Sequence, residues 1–238
     1  MKKLLITILF TSLFSENLLI GVTMKKPIEE MINKVKTNFP NSNITAHYGS
    51  SGAYLSEILL KDDADLYLPG SDSYVKKLPP SKIIKKQLIG YNQLVLVVKK
   101  GNPKHIYSIN DLFRKDVKVG IGAPRLSSVG NYTYKILLKY LGKKRLNELL
   151  SKSSLGTQSR QLNSKLRHNF VDVIINWKGA VIAYKPLKDK YEIIPIPENI
   201  APKKKLVLVQ LKNTPFDNAF FKFATSKEGL DIMKKWGF

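Results

Sequence analysis

Two short turns carry the residues best suited to chemistry. The first is Gly49-Ser50-Ser51-Gly52, set between a strand-like run, Asn43 to His47, and a helical segment, Ala53 to Leu60. The second is Thr23, between the apolar run Leu18 to Val22 and a helix whose apolar face is Ile28, Met31, Ile32 and Val35. A strand that turns directly into a helix points unpartnered N–H groups and a partial positive charge at whatever lies ahead. Glycines let an oxyanion approach that end, and hydroxyls add donors. Capture of a small anion is the chemistry such turns support. A lone Ser or Thr there is equally well a plain helix cap. Two neighbouring strands that each deliver a hydroxyl to a helix start exceed what capping alone predicts.

Other chemistries find less in the chain. HExxH, GxSxG and P-loop patterns are absent, so no enzyme class is indicated. His47, His105 and His168 lack ligand spacing, and Ser50, Ser51 and Ser128 have no evident base. No catalytic residue, cofactor or bound metal cation is expected. Zero cysteines exclude disulfides, thiolate metal sites and lipid attachment at an N-terminal Cys. The net charge of +22, from 40 Lys and Arg against 18 Asp and Glu, raises nucleic-acid binding as the rival class. Against it, arginine occurs only at 114, 125, 145, 160 and 167, and the lysines are spread along the whole chain. Lysine lacks the planar fork that reads bases and phosphates.

The elements that must hold these turns alternate. After Thr23 and the Gly/Ser turn comes a third short strand, Asp65 to Leu68, then Ser71-Asp72-Ser73 opening another helix. This β-α-β-α-β order predicts an α/β fold with a mainly parallel sheet flanked by helices, and ligands at the carboxyl ends of its strands. Leu88 to Lys100 is long for one strand and predicts a crossing between two lobes. A second α/β series follows: Val117 to Ile121, the small-residue loop Gly122 to Gly130, a helix from Asn131 to Leu141 ended by Gly142, a helix capped by Gln158 or Ser159, and the strand Val171 to Ile175. Tyr191 to Ile196 and Lys205 to Leu211 return the chain, and Thr214-Pro215 starts the C-terminal helices. At the N-terminus, Met1-Lys2-Lys3 and the eleven apolar-rich residues Leu4 to Phe14 predict a secretory leader, too short to span a bilayer.

These stretches together resemble a type II periplasmic solute-binding protein of an ABC importer, most similar to the molybdate/tungstate-binding family. The likeness is carried in order by GVTMKKPIEEM, YGSSGAYLSEI, ADLYLPGSDSY, NQLVLVVKKGNP, VGIGAPRLSSVGNYTYKIL, VDVIINWKGA and a KKWGF ending. It implies a two-lobed Venus-flytrap fold: leader 1–16, one lobe from 17–92 with 207–238, the other from 93–206. It also implies a periplasmic, monomeric receptor that passes an oxyanion to an inner-membrane permease. Carried over residue by residue, the anion contacts are Thr23, Ser51 with Ser50 beside it, the amide of Val129 beside Gly130, and the amide of Gln158 or Ser159. The last contact is Asn176, where the family has a tyrosine. The anion stays open among molybdate, tungstate, sulfate and phosphate. A protonated phosphate would need an acceptor, for which Asp65 and Asp72 are the nearest candidates; Arg125 and Arg160 could approach as the lobes close.

Overall fold

The computed structural model describes residues 15–124, 126–187 and 189–238. The leader segment Leu4 to Phe14 and Arg125 therefore lie outside the described residues.

The first lobe is built on β1 (Ser15–Gly21), α1 (Lys25–Lys36), β2 (Asn43–Gly49), α2 (Ser51–Lys61), β3 (Leu66–Leu68), α3 (Asp72–Val75) and β4 (Lys85–Asn92). The second carries β5 (Leu94–Lys99), β6 (Val119–Gly122), α4 (Ser128–Lys152), β7 (Ser154–Gly156), α5 (Ser159–Arg167), β8 (Val173–Trp177), α6 (Lys178–Ile182) and β9 (Tyr191–Pro195). The chain then returns as β10 (Lys204–Gln210), α7 (Pro215–Ala224) and α8 (Lys227–Lys235). The strand orders are β2-β1-β3-β10-β4 and β7-β6-β8-β5-β9. Three strands in each sheet run parallel, and the last two pairings are antiparallel, so both sheets are mixed.

Strand periodicity divides the first lobe's core cleanly. Leu18 and Ile20, Leu66 and Leu68, and Leu206 and Leu208 share one face with Met31, Phe216 and Phe220 of α1 and α7. Leu19, Tyr67 and Val209, each one residue out of step, share the other face with Leu55 and Ile58 of α2. Each face buries its own apolar layer, which is why these strands read as continuous apolar runs. The second lobe has one large cluster, from Leu94–Val98 through Val173–Ile175.

Several sequence expectations shift. The long run Leu88 to Lys100 is two strands in different sheets, parted at Gln93, where the chain crosses between lobes. β1 starts at Ser15, so Ser15, Glu16 and Asn17 belong to the sheet. β7 has no counterpart in the sequence reading. α4 is interrupted at Gly142, whose φ of 74° and ψ of 167° break the helix where the sequence suggested it.

Contacts on either side tie the lobes together. Tyr132 of α4 stacks on Trp177 at 5.4 Å within the second lobe and donates its hydroxyl to the Pro202 carbonyl on the returning segment. Lys204 of β10 lies 4.4 Å from the same ring. On the other side the Phe238 ring fills the space above Gly179 of α6, where an added Cβ would stand 2.2 Å from the ring.

Candidate functional site

In each lobe the two parallel strands next to the turns end on a glycine pair. Gly21 and Gly49 are register partners at the ends of β1 and β2, and Gly122 and Gly156 at the ends of β6 and β7. The glycines are packing requirements. A Cβ on Gly21 would stand 3.2 Å from the Gly70 amide, and one on Gly122 2.6 Å from the Gly130 amide. Gly130 is the tightest of these: its Cβ would stand 2.2 Å from the Ala123 carbonyl oxygen. The start of α4 is thereby seated directly on the end of β6. Level strand ends place Thr23 and Ser51 two residues beyond one pair, and Ser159 three residues beyond Gly156 in the other lobe.

The hydroxyls at these turns are not spent on capping. Ser50 is the N-cap of α2 and makes no side-chain cap bond. Neither does the N-cap of α1, Met24, or that of α5, Gln158. By contrast Ser71, Ser127, Thr214 and Ser226 all cap their helices in the ordinary way. Ser51 Oγ accepts the Gly70 amide at 3.0 Å, which leaves its O–H free to donate. Thr23 Oγ1 lies 3.1 Å from Met24 Sδ, a weak acceptor that gives up the proton readily. Beside the Gly/Ser turn, burial and then the charge of Glu29 push the Tyr48 phenol up to about 12, so it keeps its proton.

In the second lobe the Val129 and Ser159 amides fall in the first turns of α4 and α5, where the helix offers no acceptor. Two expected contacts are occupied elsewhere, and both correct the sequence reading. Gly130 donates its amide to Ser127 Oγ at 3.0 Å, so its role is close packing. Asn176 is fully buried (0%), and its side-chain amide donates to the Ser159 carbonyl at 3.0 Å and to Asn163 Oδ1 at 2.8 Å. Its Oδ1 accepts the Trp177 amide at 2.9 Å. Asn163 in turn donates to the Ala180 carbonyl. Asn176 thus pins the start of α5 to the start of α6 and has no N–H left for a ligand.

Of the remaining charged candidates, Asp72 is in the first turn of α3, held below the usual carboxylate range by Lys76, 3.0 Å away. Asp65 is buried at the opposite end of the sheet, bonded to the Asn17 amide. Arg160 is exposed. Lys204 was not anticipated. It lies between the lobes, near Lys135 of α4 and Asp72 of α3, and burial, then Lys135, lowers its pKa. Nothing in the triplet Lys203-Lys204-Lys205 distinguishes it among 40 cationic side chains.

Two α/β lobes joined by two chain segments, with donor-bearing helix starts at the ends of their parallel strands, make up the two-lobed fold of a solute-binding protein. The chain belongs to the bacterial extracellular solute-binding protein family, whose model matches residues 17–238. A Haemophilus influenzae protein named only as a binding protein is 26% identical, over 100% of this chain and 98% of its own. A Salmonella typhimurium sulfate-binding protein is 28% identical across 68% of this chain and 54% of its own length. Among solved structures, the substrate-binding domain of a Clostridium difficile protein assigned as a molybdenum ABC transporter superposes with a TM-score of 0.75 at 19% identity. That superposition covers 94% of this chain and 97% of the other. Among the described residues no helix is long and apolar enough to cross a membrane.

Proposed function

We propose that the protein captures a small, fully deprotonated tetrahedral oxyanion, molybdate or sulfate in type, between its lobes and delivers it to an ABC permease. One observation carries this reading. The four turns 21–24, 49–52, 127–130 and 156–160 offer hydroxyls and amides and contain no carboxylate. An anion without protons needs donors only, whereas a protonated phosphate also needs an acceptor. Tungstate shares the geometry of molybdate and falls in the same class. The contacts in this reading are Thr23, Ser50 and Ser51 from one lobe and the amides of Val129 and Ser159 from the other, with Asn176 as a positioning residue.

A thermal-unfolding panel tests this, because a ligand that binds only the native state raises the midpoint. Molybdate, tungstate and sulfate should raise it, with phosphate and small carboxylates far behind. A panel in which no tetrahedral anion shifts unfolding overturns the proposal. The sulfate-binding relative favours sulfate and the molybdenum-assigned fold neighbour favours molybdate; competition calorimetry ranks the two. The same reading makes the protein an exported, monomeric receptor. A leader of residues 1–16 is expected from the sequence; since Glu16 and Asn17 pair within the first lobe's sheet, we propose that removal falls ahead of Glu16. The N-terminal mass of the exported protein checks this point.

A further inference from the structure

At the far end of the first lobe, roughly 20 Å along β1 from Thr23, three carboxylates meet in the interior. Glu16 comes from β1, Asp65 from the residue before β3, and Asp217 from the first turn of α7. Each presents an oxygen within 4.8 Å of the others, and the residues are 1%, 2% and 0% exposed. Their surroundings supply too few donors for three charges. Glu16 accepts the Thr214 hydroxyl at 3.0 Å, and Asp65 accepts the Asn17 amide at 2.5 Å and lies 3.3 Å from the Lys212 ammonium. Asp217 has neither carboxyl oxygen hydrogen-bonded, although both are buried. Its own amide goes to Thr214 Oγ1, so that hydroxyl is shared between the two acids.

A buried carboxyl with both oxygens unpaired is costly unless it takes up a proton or a cation completes it. Among the described residues the Lys212 ammonium pairs with Asp65, and no cationic side chain pairs with Asp217. The donors are all hard oxygens, the set that suits Ca²⁺, Mg²⁺ or Mn²⁺ rather than a soft metal. We propose that Glu16, Asp65 and Asp217, whose oxygens all lie within 4.8 Å of one another, form a hard divalent cation site that ties β1, β3 and α7 together at the base of the lobe. The site is structural. It joins the first strand of the chain to the helix that follows the return crossing, two segments about 200 residues apart in sequence.

The test uses the full chain, stripped with chelator, in buffer without oxyanion, so its outcome is separate from that of the anion site. Calorimetry with Ca²⁺ and with Mg²⁺ should show one divalent cation per chain. The unfolding midpoint should rise by roughly 5–10 °C at a hundredfold excess of the bound cation over its Kd. Asp217→Asn should fold without cation and lose this rise, and Glu16→Gln should lose most of it. A chelated wild type that neither binds Ca²⁺ or Mg²⁺ nor gains stability from them overturns the proposal. So does a rise of equal size in both variants, which would place the ion elsewhere. If Asp217→Asn does not fold, the wild-type stoichiometry and the Glu16→Gln response decide the matter on the same criteria.

Discussion

Ser51 and Asn176 both bear polar groups at strand-to-helix junctions, yet the structure gives them opposite work. Ser51 keeps a free O–H, so Ser51→Ala should weaken oxyanion binding by about 1.5–3 kcal/mol, roughly tenfold to a hundredfold in Kd, as read by calorimetry. Its unfolding midpoint should fall less than that of Asn176→Ala, since only the half-buried Gly70 amide loses a partner. Asn176→Ala should do the reverse first. It leaves Asn163 Oδ1 and the Trp177 amide without their partners, at about 1–3 kcal/mol for each buried group left unsatisfied. Denaturant unfolding measures that loss, and equal stability of the variant and wild type would contradict the assignment. The junction positions of Thr23 and Ser51 were legible in the sequence because a hydroxyl after a strand and before a helix is a local pattern. The role of Asn176 was not. Its partners Ser159 and Asn163 lie 17 and 13 residues upstream, on a helix whose packing against β8 no local pattern states.

At the scale of elements, the start of α4 depends on Gly130. Gly130→Ala should displace it, because the new Cβ would stand 2.2 Å from a backbone carbonyl that cannot turn away. Lower stability and weaker anion binding are expected together, whereas Gly142→Ala, with nothing within 4 Å of its Cβ but a φ of 74°, should cost stability alone. The α1–α8 junction gives a pH prediction. Glu30 accepts from Lys235 Nζ and from Trp236 Nε1 at 2.7 Å, and the Lys235 bond first holds its carboxyl below the usual range. A folded-state value below the unfolded one means the stabilisation is present above the usual carboxylate range and is lost as pH falls through the folded-state value. Glu30→Gln should therefore be less stable than wild type at neutral pH, with the difference closing in acid. The helices α1 and α2 could be read in advance from apolar spacing, and α5 from its cap. β7, three residues long and without periodicity, could not, since it exists only by pairing with β6.

For the whole molecule, the Phe238 ring over Gly179 couples the lobes. Gly179→Ala should force the ring aside, disturb how the lobes meet and weaken anion binding; Phe238→Ala added to it should restore part of the loss. Calorimetry on the single and double variants checks this, and equal affinity in Gly179→Ala and wild type would count against the coupling. The two-lobed plan was legible because the alternation repeats and one apolar run is too long for a single strand. The order of strands was not, since it depends on pairings between distant segments.

One of those pairings sets an order of events during folding. β10 lies between β3 and β4, inside the first lobe's sheet, although its residues come after the whole second lobe. Until residues 204–210 arrive, β4 has no partner in that sheet, and the apolar faces of β1 and β3 lack α7 and α8. The second lobe is contiguous from β5 to β9 and meets no such delay. It should fold first, and the first lobe should close only after the returning segment docks, a slow, non-local step. The first lobe's sheet is thereby left incomplete until nearly the whole chain is available.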